Sequence, residues 1–285
     1  MRMDAQQNNQ HHNQPEWVLI RGLIRSRFHW GAFPDQLLSQ LQQQQLAPSA
    51  LLLPELAGNG ERFRDKTPFS IHNMMLDIRH QVQKLSPDDN RPRVLVAISM
   101  GAMIASEWAR CYPQEVARLH LINTSFSNFS TPWQRMKIRP LLGFLRGLRS
   151  SDKLEAAILR WTLNMKDSEC LLPLWCDYAA AHPLSLRNGL AQLLAASHFR
   201  GPKQAPLEET FFYNSLADRL VDAACTRRIA EHWQKNLLSH PRAGHDLPMD
   251  DPDWLIQKII ANEQKSRAHT GPAQPEPPAN ADTSL

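Results

Sequence analysis

The strongest constraint on this chain is a series of short, wholly apolar runs set between longer amphipathic stretches. Trp17-Val18-Leu19-Ile20, Ala50-Leu51-Leu52-Leu53, Val94-Leu95-Val96-Ala97-Ile98 and Leu119-His120-Leu121-Ile122 are the clearest. Thr210-Phe211-Phe212-Tyr213 and Leu237-Leu238 are weaker. A strand with one wet face alternates apolar and polar residues, whereas an unbroken apolar run suits a strand covered on both faces, as in a parallel sheet between helices. The stretches Phe33 to Gln45, Ser70 to Leu85, Gly101 to Tyr112 and Thr226 to Lys235 read as those helices. Their β-α-β-α order predicts an α/β fold, a mainly parallel sheet of about six strands flanked by helices and joined by right-handed crossovers.

The alternation stops between about Ser125 and Phe199. That stretch reads as successive helices punctuated at Pro132, Pro140, Pro173 and Pro183, and it is too long for a loop. It predicts an inserted helical cap over the sheet edge where ligands bind. The expected organisation is a disordered head at 1–15, an α/β core at 16–125 and 200–265, a helical cap at 126–199 and a disordered tail at 266–285. The Gln/Asn/His-rich head and the Pro-rich tail bury too little apolar surface to order themselves.

Composition narrows the function classes. A net charge of +4 falls short of the clustered positive charge of a nucleic-acid binder, so no nucleic-acid partner is expected. Cys111, Cys170, Cys176 and Cys225 form no C-x-x-C pair or Cys/His metal spacing, and read as free thiols in a reducing compartment. The first fifteen residues lack an apolar signal core, and no apolar run reaches the roughly 18 residues of a membrane span. The expectation is a cytoplasmic protein without metal or cofactor, of unspecified oligomeric state.

The sharpest chemical signal is Val94-Leu95-Val96-Ala97-Ile98-Ser99-Met100-Gly101-Ala102-Met103, a strand that runs through Ser99 straight into a helix. Small residues at 97 and 101 let such a turn tighten and push the hydroxyl out of the sheet. The Met100 N–H, first in the helix, is placed to hold an oxyanion. Taken alone, the motif is also that of a serine capping its helix. Two later turns add to it. Asp218 follows the Phe211-Phe212 strand and His245 follows the last one, so both belong at the carboxyl edge of the sheet. A serine hydroxyl is a poor nucleophile at neutral pH. An imidazole can take its proton, and a carboxylate can fix the imidazole tautomer.

With these residues in order, the chain resembles the α/β-hydrolase superfamily, in its esterase and lipase-like branch, from Trp17 to roughly Ile260. Four blocks carry the resemblance: Val18-Leu19-Ile20-Arg21-Gly22-Leu23 with Trp30 following, Leu53-Pro54-Glu55-Leu56-Ala57-Gly58-Asn59-Gly60, the Ser99 turn, and the Asp218 and His245 turns. It implies Ser99 as nucleophile, His245 as general base, Asp218 as the acid that orients it, and the backbone N–H groups of Leu23 and Met100 as the oxyanion hole. Arg21 stands where the family has His, and Ala57 where it has Gly. Arg21 either makes a structural ion pair or binds an anionic part of the substrate, and Trp30 is a further candidate for the substrate pocket.

Rivals exist for each role. Asp222 lies one turn beyond Asp218, while Asp246, Asp250 and Asp251 read as surface or helix-capping residues. His29 reads either as pocket-lining or as a solvated loop residue, and His120 as a hydrogen-bonded core histidine. The basic stretch from Gln134 to Lys153 suits a lid helix with a wet face, or weak contact with an acidic membrane surface. The reaction expected is hydrolysis of a small or medium-sized carboxylic ester through an acyl-enzyme. The alternatives are thioester hydrolysis or acyl transfer by the same triad, and a non-catalytic binding protein of this fold.

Overall fold

A computed structural model describes residues 14–87, 91–147 and 150–270. Six strands form one sheet: β1 (Glu16–Ile20), β2 (Ala50–Leu52), β3 (Arg93–Ile98), β4 (Val116–Ile122), β5 (Thr210–Ser215) and β6 (Leu237–His240). Their spatial order is β2-β1-β3-β4-β5-β6, and each neighbouring pair is parallel. The sheet is flanked by α1 (Phe33–Gln43), α2 (Ile71–Leu85), α3 (Met100–Cys111), α9 (Ala224–His232), α10 (Leu247–Asp250) and α11 (Pro252–Thr270).

The apolar runs are buried on both sides because successive side chains of a strand point to opposite faces. Val18, Ile20, Leu95 and Ala97 join Met74, Met75 and Ile78 of α2 and Ile104 and Trp108 of α3. Trp17, Leu19, Val94, Val96 and Ile98 face the other way, onto Phe33, Leu37 and Leu41 of α1 and Leu255, Ile256 and Ile259 of α11. Removing each such side chain from water contributes roughly 1.5–3 kcal/mol.

Between β4 and β5 the chain forms α4 (Pro132–Arg135), α5 (Ile138–Gly147), α6 (Ser151–Thr162), α7 (Ser168–Ala181) and α8 (Leu186–His198). Phe144, Leu154, Ile158, Leu159, Leu163 and Trp175 of this insertion pack with Leu220, Val221 and Cys225, just beyond β5. The prolines punctuate it unevenly. Pro132 opens α4, Pro140 sits in the first turn of α5, and Pro183 lies between α7 and α8. Pro173, expected as a break, lies inside α7. Its missing N–H forgoes one bond of that helix.

The topology also locates the site. The chain leaves β1 towards β2 on one side and returns to β3 on the other, so the loops after β1 and β3 diverge and open a crevice at their carboxyl ends. At the C-terminus α11 continues to Thr270, into the stretch expected as tail. Residues 1–13 of the expected disordered head and 271–285 of the tail lie outside the described residues. Among the described residues no helix is long and apolar enough to cross a membrane.

Candidate active site

Ser99 joins β3 to α3 with φ 58° and ψ −119°, a backbone region that non-glycine residues avoid. Such strain persists only where the surroundings over-determine it. Here the Ser99 N–H donates to Ile122 O of β4 at 2.8 Å, and Thr124 Oγ1 donates to Ser99 O at 3.1 Å. Ser99 occupies the position before α3, yet its side chain makes no capping bond. The requirement for glycine at 101 is steric. A Cβ there would lie 2.4 Å from Ile20 O and 2.5 Å from Arg21 O, so α3 abuts the end of β1. The Met100 N–H, first of α3, has no carbonyl of its own helix to donate to, and Met100 lines a cavity with Ser99.

The structure brings Asp218 and His245 together. His245 Nδ1 lies 2.6 Å from Asp218 Oδ2, and both residues are buried. Asp218 Oδ1 accepts from the N–H groups of Leu220 and Val221 at 2.8 and 2.9 Å, so each carboxylate oxygen has a fixed task. An ionised carboxylate only accepts, so it selects the imidazole tautomer with the proton on Nδ1, in which Nε2 is the acceptor. The rival Asp222 instead accepts from the Ala224 N–H, at the start of α9, at 2.9 Å.

Two residues that position this pair were not assigned that role from sequence. Asn123, at φ 45° just past β4, donates from Nδ2 to His245 O at 2.7 Å and to Ser215 Oγ at 3.1 Å, and accepts from the Ser215 N–H at 2.8 Å. It pins the ends of β4 and β5 to the histidine turn. An Asn directly after an apolar strand was a usable signal, because Asn tolerates positive φ. Asp250, expected as a surface or helix-capping residue, is 3% exposed. Its carboxylate accepts from the N–H groups of Gly244, Asn164, Met165 and Lys166, at 2.6, 2.9, 2.8 and 3.0 Å. This ties the histidine turn to the insertion. Gly244 is glycine for the same reason, since a Cβ would meet Thr162 O at 2.3 Å.

Asp246 is buried too, and forms a two-pronged ion pair with Arg21: Nη1 to Oδ1 at 3.0 Å and Nη2 to Oδ2 at 2.6 Å. The guanidinium lies 4.8 Å from the centre of the Trp30 ring. Trp30 is 1% exposed, packs on Phe33 and faces neither cavity beside Ser99. His29 is buried behind the same loop, with Nδ1 accepting from the Ser26 N–H at 3.0 Å. Burial, then the charges of Arg25 and Arg21, hold its pKa well below the ordinary histidine value. His120 bonds Tyr213 Oη and Glu263 at 2.8 and 2.9 Å, as a core histidine should.

The loop after β1 turns at Gly22-Leu23-Ile24-Arg25, closed by the Arg25 N–H to Gly22 O at 3.3 Å. Leu23, Ser99 and Leu220 line two cavities. One, of about 50 Å³, also takes in His245, Ile98, Phe144 and Ile158. The other, of about 320 Å³ and mostly apolar, runs past Met100 and Met103 to Trp133, Met136, Leu193 and Leu194 of the insertion. Two basic residues of the insertion are spent internally. Arg135 donates to Ser197 O at 2.6 Å, and Lys137 to Asp218 O at 2.6 Å. Arg139 and Arg146 remain on the outside.

A family model described as "Alpha/beta hydrolase family" matches residues 17–258, and the chain belongs to that family. Solved structures of the same fold include an esterase from Exiguobacterium antarcticum, at 13% identity and TM-score 0.69, covering 88% of this chain and 92% of that one. A thermophilic esterase from Thermogutta terrifontis is 19% identical with TM-score 0.65, covering 89% and 90%. A hydrolase from Pseudomonas aeruginosa PA01 is 16% identical with TM-score 0.62, covering 88% and 90%. No curated protein matches the sequence.

Proposed function

We propose that this hydrolase cleaves carboxylic esters of small or medium size through an acyl-enzyme on Ser99. The observation that carries the reading is the convergence of three chain turns. A strained serine at the start of α3 shares one cavity with His245, and His245 in turn bonds Asp218 at 2.6 Å. Ser99 Oγ attacks the acyl carbon while His245 Nε2 takes its proton, and Asp218 stabilises the imidazolium. The oxyanion is held by the N–H groups of Met100 and Leu23. His245 then protonates the departing alkoxide, and water, activated by the same nitrogen, releases the acid.

The apolar cavity beside Met103 and Leu194 suits a hydrocarbon chain of the substrate, and the smaller one takes the other part. The helical insertion serves as a cap over both. Four free cysteines fit a reducing, cytoplasmic setting. The test is labelling with a fluorophosphonate, together with turnover of p-nitrophenyl esters graded by chain length. The expected result is labelling that disappears in Ser99→Ala, with a fall in kcat of at least about a thousandfold. A folded protein that neither labels nor turns over any ester overturns the reading, and a parallel thioester series reports the leaving group.

A further inference from the structure

The turn that carries Leu23 is held in shape by the insertion rather than by the sheet. Ile24, its third residue, has φ 50°. A β-branched residue in that region is strained, and the strain must be opposed by specific contacts. The Ile24 N–H donates to Gln192 Oε1 of α8 at 2.7 Å. Gln192 is wholly buried, and its Nε2 donates to Asn59 Oδ1 at 2.7 Å. Asn59 Nδ2 closes the ring by donating to Arg25 O at 3.0 Å. On the far side the Arg25 guanidinium pairs with Glu155 of α6 through both nitrogens, at 2.8 and 3.2 Å, and lies 5.1 Å from the centre of the Trp175 ring of α7. Three helices of the insertion therefore grip two consecutive residues next to Leu23.

We infer that Gln192 is a positioning residue of the reaction, fixing the Gly22–Arg25 turn so that the Leu23 N–H faces the oxyanion formed at Ser99. The hole is complete only while α8 is seated, which couples the seating of the insertion to turnover. The inference rests on the esterase reading above. A buried amide at 192 meets a donor on one side and an acceptor on the other, and few side chains can do both. Gln192 touches no reacting atom; it acts on transition-state stabilisation through the backbone of Ile24.

The test compares Gln192→Ala and the shape-preserving Gln192→Met with Asn188→Ala. Asn188, one turn earlier on α8, accepts from the Thr67 N–H at 3.1 Å and donates to Asp65 O at 2.9 Å, away from the turn. For both Gln192 variants kcat should fall about tenfold to a hundredfold with KM within twofold. The Ki of an alkyl trifluoromethyl ketone, which forms an oxyanion on the serine, should rise in step with the loss of kcat/KM. Gln192→Glu, whose protonated carboxyl offers the same acceptor and donor, should recover most of the wild-type rate measured at the same mildly acidic pH. Asn188→Ala should lower the melting temperature yet keep kcat and Ki within twofold. Should Gln192→Ala fail to fold, Gln192→Met carries the same comparison. Unchanged kcat and Ki in a folded Gln192 variant, or an equal loss in Asn188→Ala, overturns the inference while leaving the esterase reading intact. A wild type that neither labels nor turns over any ester removes both.

Discussion

Replacing Asp246 by Asn asks what Arg21 is for. In the folded protein the carboxylate takes two guanidinium bonds, at 3.0 and 2.6 Å, between side chains only 4% and 5% exposed. Asparagine keeps one acceptor and no charge. The guanidinium, which lines the small cavity beside Ser99, then keeps one side-chain acceptor and the Trp30 ring but loses its counter-charge. Breaking a buried pair from one side in this way costs about 3–5 kcal/mol, because the remaining charge cannot regain its water. At the low end of the usual 2–4 °C per kcal/mol for large domains, the midpoint should fall by roughly 6–10 °C. Removing both charges, as Arg21→Met with Asp246→Leu, should bring stability back to within about 1–2 kcal/mol of wild type. Arg21→Met, Asp246→Leu and their double form a cycle whose coupling energy is the pair's own term. The assay is thermal and urea unfolding, with kcat/KM measured on neutral and anionic esters. A structural Arg21 predicts the melting losses above and a similar proportional loss of rate on both esters. A midpoint for Asp246→Asn within 2 °C of wild type would refute the reasoning. So would an Arg21→Met variant that melts normally but loses only the anionic substrate, which would assign Arg21 to substrate binding.

Two further predictions test the supports of the site. Asp250→Ala leaves four backbone N–H groups without their acceptor, and should cost about 3 kcal/mol or more in urea unfolding together with a fall in kcat as the His245 turn loosens. Asp250→Asn, which keeps one acceptor oxygen, should lose less of both. His29 is neutral in the fold because burial, and then Arg25 and Arg21, hold its pKa well below the ordinary value, while the unfolded chain takes up the proton near pH 6.5. Its contribution is therefore complete above about pH 6.5 and is lost as the pH falls below it, by up to about 1.4 kcal/mol per pH unit. Unfolding free energies of wild type and His29→Gln, measured from pH 7 to 5, should show a shallower acid loss in the variant, and identical slopes would exclude this role.

The apolar runs were legible because a strand covered on both faces leaves its mark in consecutive residues. Trp17 to Ile20 and Val94 to Ile98 lie where their composition places them, with neighbours divided between two faces of the sheet. The Ser99 turn was legible for a similar local reason: the glycine at 101 is what close packing of α3 on β1 demands. Asp218 and His245 could be chosen because a parallel sheet sends every strand's carboxyl end to one edge. The acidic residues after His245 could not be sorted in this way. Asp246 and Asp250 look like surface carboxylates in a polar turn, and they are buried only because Arg21 and the start of the α6–α7 loop arrive from distant parts of the chain.

The same division holds for the candidate site as a whole. By itself the sequence determined the α/β layering, the serine turn, and the edge on which an acid and a histidine would meet, since each follows from local pattern and strand direction. Tertiary structure alone decided that Asp246 and Asp250 are buried, which carboxylate pairs with Arg21, and how the turn at Leu23 is held. Gln192 reaches Ile24 across 168 positions of chain, and a lone glutamine on a helix carries no periodicity that foretells it. Hydrogen bonds of that kind are set by where packed helices come to rest. They become visible only once the helices have been placed.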